Sequence, residues 1–226
     1  MPSAVNADTW LVVPLYNEAS VVGDVIRGAL RTFGNIVCID DGSTDASADV
    51  ARAAGAVVIR HATNLGQGAA LQTGITYVCT LTHARYLVTF DADGQHRVAD
   101  ADSMVALARA EDLAIVFGSR FLDDRTKAGL LKRLVLKTAV WVTNQSTGLR
   151  LTDAHNGLRV IRRDAAMNVH LLQNRMAHAS EIVLQLGRTK LPWREYPVHV
   201  LYTEYSKGKG QSLLNSVNIL VDLIFK

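Results

Sequence analysis

Two aspartates, Asp91 and Asp93, stand one residue apart at the end of an apolar, β-branched run in YLVTFDADGQH (86–96). We expect the run to form a buried strand over 86–91. Side chains two positions apart on a strand point to the same face. Two carboxylates placed in this way repel each other unless a cation lies between them. The spacing therefore predicts a cation site.

Alternating strand-like and helix-like segments position this pair. We expect strands at 9–14, 35–40, 56–61, 86–91 and 114–119, with helices at about 18–33, 44–55, 68–81 and 100–110. Further short strands are expected near 157–162 and 193–202, and helices near 164–172 and 178–188. This order is typical of an α/β fold, a mostly parallel sheet flanked by helices.

Polar loops follow each of the first five predicted strands: PLYNE, DDGSTD, NLGQG, DADGQH and SRF. In an open parallel sheet, ligands bind beyond the carboxyl ends of the strands, where such loops converge. Each loop alone could be an ordinary turn. Five together predict one site. A dinucleotide-binding enzyme would have a glycine-rich GxGxxG loop after the first strand, where this chain has PLYNEA. No P-loop is present either, so the sequence favours neither hydride transfer nor ATP hydrolysis.

The overall composition limits the class of partner and the cellular compartment that the sequence favours. The chain has 226 residues, a formal net charge of +3 and two cysteines, Cys38 and Cys79. The charge is too small to favour nucleic acid, and two buried cysteines favour a reducing compartment. The start of the chain lacks a secretory pattern, and its longest apolar run is shorter than the ~17 residues of a membrane span. We expect a cytoplasmic location.

The motifs VVPLYNE, IDDGSTD, NLGQGAALQTG, FDADGQH, GSR and NGLRVIRR, in this order, resemble the family 2 glycosyltransferases. The likeness is to the branch that contains dolichol-phosphate mannosyltransferase and bacterial polyprenyl-phosphate transferases, and it covers about 9–165. It implies a Rossmann-like nucleotide-sugar transferase type A fold. We expect a single domain, 1–226, with a nucleotide-sugar-binding half (about 9–120) and an acceptor-side half (about 121–226) that carries amphipathic helices.

The resemblance also implies roles for single residues. Asp91 and Asp93 would hold Mg²⁺ or Mn²⁺, with Gln95 assisting, and these ions suit carboxylate and phosphate oxygens. Asp41 would contact the base or ribose of a UDP- or GDP-type donor. The remaining nucleotide-pocket residues would be Pro14, Tyr16, Glu18, Asn64 and Ala92.

Basic residues complete the expected catalytic set of Asp93, Arg120, Arg159 and Lys207. Both arginines match family positions near phosphate groups, for which a planar guanidinium is suited. Lys207, in YSKGKGQS, resembles a basic loop that meets the acceptor phosphate, although a solvated loop is the alternative. Gln67 stands where many members have Lys, and His155 also departs from the family pattern, so a function for either is undecided.

These signals favour an inverting, metal-dependent transfer of a sugar to a lipid-linked polyprenyl phosphate. Such an acceptor is already an anionic nucleophile, whereas a hydroxyl of a cell-surface glycan would need a general base, for which Asp153 and Glu181 are the best carboxylates. A non-catalytic sugar-nucleotide-binding module is a further alternative. Processive polysaccharide synthases of this family carry a QxxRW motif, and its absence here argues against processive synthesis.

Two amphipathic segments are candidates for peripheral contact with a membrane. Basic residues flank apolar ones around 127–142, and a final amphipathic helix is expected from about 212. Core packing explains such spacing, and a membrane-surface helix is the alternative. The sequence does not decide the sugar, the base, the acceptor chain or the oligomeric state.

Overall fold

The structure, a computed structural model, describes residues 6–122, 149–173 and 177–201. Its strands form one seven-stranded sheet in the order β3-β2-β1-β4-β6-β5-β7. The strands are β1 (Thr9–Leu15), β2 (Asn35–Asp40), β3 (Val57–Arg60), β4 (Tyr86–Thr89), β5 (Ile115–Ser119), β6 (Arg159–Arg162) and β7 (Trp193–Pro197). The helices are α1 (Val22–Ala29), α2 (Ser47–Ala53), α3 (Gln67–Leu81), α4 (Val98–Ala110), α5 (Arg163–Ala166) and α6 (Ala177–Arg188).

The sheet is mostly parallel, as predicted. β1 is parallel to β2 and β4, β2 to β3, and β5 to β7, whereas β6 is antiparallel to both β4 and β5. The carboxyl ends of β1 to β5 therefore share one edge of the sheet. β6 begins at that same edge, because Arg159 is paired with Thr89.

Apolar side chains cover both faces of the sheet. On β1, Leu11, Val13 and Leu15 belong to the core under α1, α2 and α4, whereas Val12 belongs to the core under α3 and α6. Strands buried on both faces are near-continuous apolar runs, which is the pattern in the sequence. Each fully buried Leu, Ile or Val contributes about 1.5–3 kcal/mol, so the sheet is a stable frame for the loops at its edge.

The first helix is shorter than predicted. It begins at Val22 rather than near Glu18, because the Glu18 carbonyl accepts the N–H groups of Val21 and Val22 in a turn, both at 3.0 Å. Asn17, just before this turn, has a φ of 53°, in the left-handed region that asparagine tolerates. The turn leaves Glu18 outside the helix, at the sheet edge.

The fourth strand also ends early, and this corrects the expectation for the two aspartates. β4 ends at Thr89, so Asp91 and Asp93 lie in the turn that follows it. The expectation that they share one face of a strand is therefore wrong. Within this turn the Gln95 N–H donates to Asp93 Oδ1 at 3.0 Å, which fixes the second aspartate.

Several predictions concern residues that the structure does not describe. The basic helix around 127–142, the helix from about 212 and Lys207 all lie outside the described residues. Within the described part of the chain, no helix is long and apolar enough to cross a membrane. Cys38 and Cys79 are free and buried, as predicted, and burial raises the pKa of the Cys38 thiol to about 12.

Candidate active site

A cavity of about 450 Å³ opens at the carboxyl edge of the sheet. All the residues predicted for the nucleotide line it: Pro14, Tyr16, Glu18, Asp41, Asn64, Asp91, Ala92 and Asp93. Leu15, Gly66, Gln67 and Ala70 complete its wall. Four of the five polar loops therefore meet at one place, as predicted, whereas the fifth loop, SRF, contributes no residue to this wall.

The loops after β1 and β2 are tied to each other. The Asn17 N–H donates to Ser43 Oγ at 3.0 Å, and the Thr44 N–H donates to Asn17 Oδ1 at 2.9 Å. The Glu18 N–H donates to Ser47 Oγ at 2.7 Å. These crossed bonds fix the wall of the cavity that carries Tyr16 and Glu18.

Asp41 organises the loop between β3 and α3. Its Oδ1 accepts the Leu65 N–H at 2.9 Å and its Oδ2 accepts the Gly66 N–H at 2.7 Å. Oδ1 also lies 2.8 Å from Nδ1 of His61, whose Nε2 lies 2.9 Å from Thr73 Oγ1. A carboxylate has about four acceptor positions, so most of those of Asp41 are taken by the protein.

Asp91 lies among cationic and hydrogen-bonding side chains. His96 Nε2 is 2.8 Å from its Oδ2, and Gln67 Nε2 is 3.4 Å from its Oδ1. Burial alone would raise the pKa of Asp91, but the charge and hydrogen bond of His96, followed by the charges of Arg159 and His178, bring it below its usual value. Asp91 is therefore ionised at neutral pH.

Asp93 has the opposite electrostatic environment. Burial, and then the negative charge of Asp91, raise the pKa of Asp93 above its usual value, although the Gln95 N–H opposes this. The pair thus carries a charge that the surrounding protein only partly offsets. A divalent cation beside Asp93 would supply the missing compensation.

Gln95 contributes to this turn through its backbone, and it is absent from the cavity wall described above. Its carbonyl accepts the Leu201 N–H at 2.9 Å, and His96 forms an antiparallel bridge with Val200. The segment after β7 is therefore bonded to the turn that carries the two aspartates. A contact of the Gln95 side chain with an ion stays a prediction.

The segment before β6 passes directly beside Asp91. A Cβ atom at Gly157 would lie 2.6 Å from Asp91 Oδ2, and the Gly157 carbonyl accepts the Thr89 hydroxyl at 2.5 Å. Only glycine fits this close approach. His155, two residues earlier, has its Nε2 3.4 Å from Ser180 Oγ.

Arg159 lies beneath the site rather than on the cavity wall, with 2% of its surface exposed. Burial lowers the pKa of its guanidinium to about 10, while the charges of Asp91 and Asp153 counteract this effect. Among the described residues, its Nη2 has no hydrogen-bond partner. Arg159 therefore acts on Asp91 through its charge, and a phosphate contact from this residue stays a prediction.

Arg120 is bonded to Asp153. Its Nε and Nη2 donate to the two carboxylate oxygens at 2.6 and 2.9 Å, and its backbone N–H adds a third bond at 3.1 Å. Burial favours the neutral acid, but these bonds and the charge of Arg120 hold the pKa of Asp153 below its usual value. Asp153 thus orients an arginine that is partly exposed.

Glu181, the other carboxylate considered as a base, caps a loop. Its carboxylate accepts the N–H groups of Leu172 and Gln173 at 3.1 and 2.9 Å. Both predicted base candidates are therefore occupied by the protein itself. The structure does not bring either of them to the cavity wall.

His96 is the neighbour of Asp91 that sequence reasoning missed. It stands five positions after Asp91 within the same DADGQH motif, and this proximity was the available signal. Gln67, undecided from sequence, lines the cavity and faces Asp91.

Comparison with known proteins adds independent findings. The family model described as "Glycosyl transferase family 2" matches residues 10–169. An uncharacterized protein of Methanocaldococcus jannaschii is 33% identical over 225 residues, covering 97% of this chain and 92% of that protein. The UDP-N-acetylglucosamine–dolichyl-phosphate N-acetylglucosaminyltransferase of Methanococcus voltae is 27% identical over 237 residues, covering 95% and 94%.

A solved structure shares the fold. It is that of glucosyl-3-phosphoglycerate synthase from Mycobacterium tuberculosis in complex with Mn²⁺, UDP-glucose and phosphoglyceric acid. The TM-score is 0.65 at 20% identity, with 95% of this chain and 79% of that chain covered. This likeness confirms the predicted type A nucleotide-sugar transferase fold.

Proposed function

The chain belongs to glycosyl transferase family 2, and we propose that it transfers a sugar from a nucleoside diphosphate sugar to a polyprenyl phosphate. The donor is of the UDP or GDP type, the reaction inverts the anomeric centre, and Mg²⁺ or Mn²⁺ is required. One observation carries the proposal: the predicted nucleotide residues and both aspartates of the DADGQH turn line a single cavity.

The residues of this cavity fit a divalent cation. Within residues 6–122, 149–173 and 177–201, no three His, Cys, Asp or Glu side chains form a complete metal site. Two carboxylates suit an ion that takes its other ligands from water and a diphosphate. When bound, the ion would neutralise the departing nucleoside diphosphate. The raised pKa of Asp93 supports this assignment, because a nearby cation would stabilise its ionised form.

The loops at the carboxyl edge of the sheet bind the donor. The wall fixed by the Asn17 and Ser43 bonds presents Tyr16 and Glu18 to the nucleotide. Asp41 holds the Leu65–Gly66 backbone against the same cavity. The relative from Methanococcus voltae is named for a UDP-sugar donor, which supports a nucleotide of this type.

The state of the carboxylates supports a phosphate acceptor. A hydroxyl acceptor needs a base, but Asp153 is bonded to Arg120 and Glu181 is bonded to loop N–H groups. An acceptor phosphate needs no base. It displaces the diphosphate in one step, and one displacement inverts the anomeric centre. Arg120 and Lys207 would help to hold this second anion, and the name of the same relative includes a dolichyl-phosphate acceptor.

A polyprenyl phosphate is anchored in a membrane, whereas the nucleotide sugar is dissolved in water. We therefore place the reaction at the inner face of the cell membrane, with the chain in peripheral contact.

The decisive experiment offers the full chain several UDP- and GDP-sugars with Mn²⁺, and either a short polyprenyl phosphate or a free glycan. We expect a lipid-linked sugar, with the anomeric configuration opposite to that of the donor by NMR. Glycan glycosylation without turnover of the lipid phosphate would establish the hydroxyl alternative instead.

A further inference from the structure

His96 touches Asp91 but stands outside the residues assigned to nucleotide or ion. Its Nε2 lies 2.8 Å from Asp91 Oδ2, and only 8% of its surface is exposed. A carboxylate oxygen accepts hydrogen bonds, so at this distance the ring nitrogen carries the proton and donates it to Asp91. The bond is therefore charge-assisted, which makes it stronger than one between neutral groups.

The two oxygens of Asp91 have different surroundings. Oδ2 is bonded to His96 and lies nearer to Gly157: a Cβ atom there would be 2.6 Å from Oδ2 and 3.2 Å from Oδ1. Oδ1 lies 3.4 Å from Gln67, a residue of the cavity wall. A carboxylate turned in this way offers one oxygen to the cavity and keeps the other inside the protein.

His96 is itself held in place. Its ring packs edge-on against Phe90, with centroids 5.5 Å apart, and its backbone bridges to Val200. Phe90 is almost fully buried, at 1% exposure, so the imidazole has a rigid support. A fixed donor can determine the orientation of the carboxylate that it contacts.

We propose that His96 is a positioning residue that orients Asp91 so that Oδ1 alone is available to a divalent cation in the cavity. The inference rests on the metal role of Asp91 in the proposed function. Without the Nε2–H donor, Oδ2 would lose its partner, and rotation of the carboxylate would misplace Oδ1. Such supporting hydrogen bonds typically change metal affinity by about 10–100-fold.

Three variants of the full chain test this role. His96→Leu removes the donor and keeps an apolar side chain of similar bulk. His96→Gln keeps an amide N–H donor near the position of Nε2. His83→Leu is the matched control, because His83 is exposed in the connection between α3 and β4, on the opposite edge of the sheet.

The measurement is Mn²⁺ affinity, followed by the EPR signal of free Mn²⁺ in the presence of UDP and, separately, of GDP. We expect His96→Leu to weaken Mn²⁺ binding about 10–100-fold, His96→Gln to recover most of the loss, and His83→Leu to match the wild type. If His96→Leu does not fold, His96→Asn replaces it, since its shorter amide does not reach Asp91.

The outcomes distinguish failure of the proposed metal site from failure of the positioning role of His96. Wild-type protein that binds no Mn²⁺ with either nucleotide would refute the metal site of the proposed function. Wild-type binding that persists within twofold in His96→Leu would overturn the positioning role. Equal weakening by Leu and Gln would also overturn it, because the ring would then matter only for packing.

Discussion

Gly157 and Asp91 are so close that a Cβ atom on the glycine would lie 2.6 Å from the Oδ2 atom of the aspartate. The backbone before β6 therefore forms part of the wall that confines this carboxylate. Antiparallel pairing of β6 with β4 brings the two residues together, since it sets Arg159 opposite Thr89.

Replacing Gly157 with Ala should displace either Asp91 or the backbone, because neither has room for the added methyl group. We expect a loss of about 1–3 kcal/mol in the free energy of unfolding, together with a fall in Mn²⁺-dependent transfer. Urea unfolding and steady-state kinetics measure the two effects. Gly28→Ala on α1 is the control: apart from its chain neighbours and the backbone of its own helix, no described atom lies within 4 Å of the added Cβ, so that variant should be neutral or stabilised. Equal behaviour of the two variants would contradict the proposed confinement.

Asp41→Ala should weaken nucleoside diphosphate binding by about 1.5–3 kcal/mol, the usual effect of losing a charged hydrogen bond. Titration calorimetry measures the affinity. His61→Leu distinguishes the cause, because it removes a partner of Asp41 without touching the cavity wall. Weakening in both variants indicates that Asp41 acts through the loop it holds, whereas weakening in Asp41→Ala alone indicates direct contact. Unchanged affinity in a folded Asp41→Ala variant would refute its assignment to the nucleotide.

Asp93→Asn preserves the shape of the side chain and removes its charge. Transfer should fall by about 10²–10³ if neutralising the leaving diphosphate is the main electrostatic contribution. EDTA should abolish wild-type transfer, and Mn²⁺ or Mg²⁺ should restore it. Asp49→Asn, on the exposed surface of α2, should leave transfer unchanged, because its ion pair with Arg52 is highly exposed. Full turnover in EDTA would rule out the metal.

Neutralising Lys207 should raise the KM for polyprenyl phosphate and leave nucleotide affinity nearly unchanged, because the lysine would face only the acceptor. Glu181→Gln should retain turnover, since its carboxylate serves the N–H groups of Leu172 and Gln173. Kinetics with both acceptors test these expectations. Abolished transfer in a folded Glu181→Gln variant would instead identify a general base and a hydroxyl acceptor.

His155 should make stability depend on pH. Burial, with the charges of Arg159 and Arg120, lowers its pKa from 6.5 to about 4, although Asp153 opposes the shift. Between these values the unfolded chain binds a proton that the folded chain does not. Stability should therefore rise with pH from 4 to 6.5, with a contribution of about 1–3 kcal/mol from this residue. His155→Gln should flatten this dependence in urea unfolding, and His83→Gln should not. Parallel pH profiles for wild type and His155→Gln would contradict the shift.

Local patterns predicted the parallel strands and the polar loops because both depend on residues that are near each other in sequence. The same patterns could not show that β6 enters the sheet between β4 and β5, since that pairing joins Thr89 to Arg159 across a long stretch of chain. The burial of Arg159 follows from this pairing. An arginine that the family motif predicted near a phosphate group therefore lies beneath the cavity wall.

The aspartates show a second limit. Apolar residues up to Phe90 favoured a strand that continues to Asp91, but β4 ends at Thr89 and a turn begins. Likewise, Asp41 lines the cavity, yet its bonds to Leu65 and Gly66 depend on how a distant loop folds back. Sequence indicated which groups are present, and tertiary packing decided which partners they have.

The bridge between His96 and Val200, with the bond from Leu201 to Gln95, ties the aspartate turn to the chain that continues toward Lys207. Binding of the nucleotide and ion at the aspartate turn is therefore coupled, through these backbone bonds, to the segment after β7, and an acceptor bound by Lys207 would act on the same connection. Donor and acceptor should therefore bind cooperatively rather than independently. Linkage then requires reciprocity: the factor by which nucleotide and ion tighten acceptor binding equals the factor by which the acceptor tightens theirs.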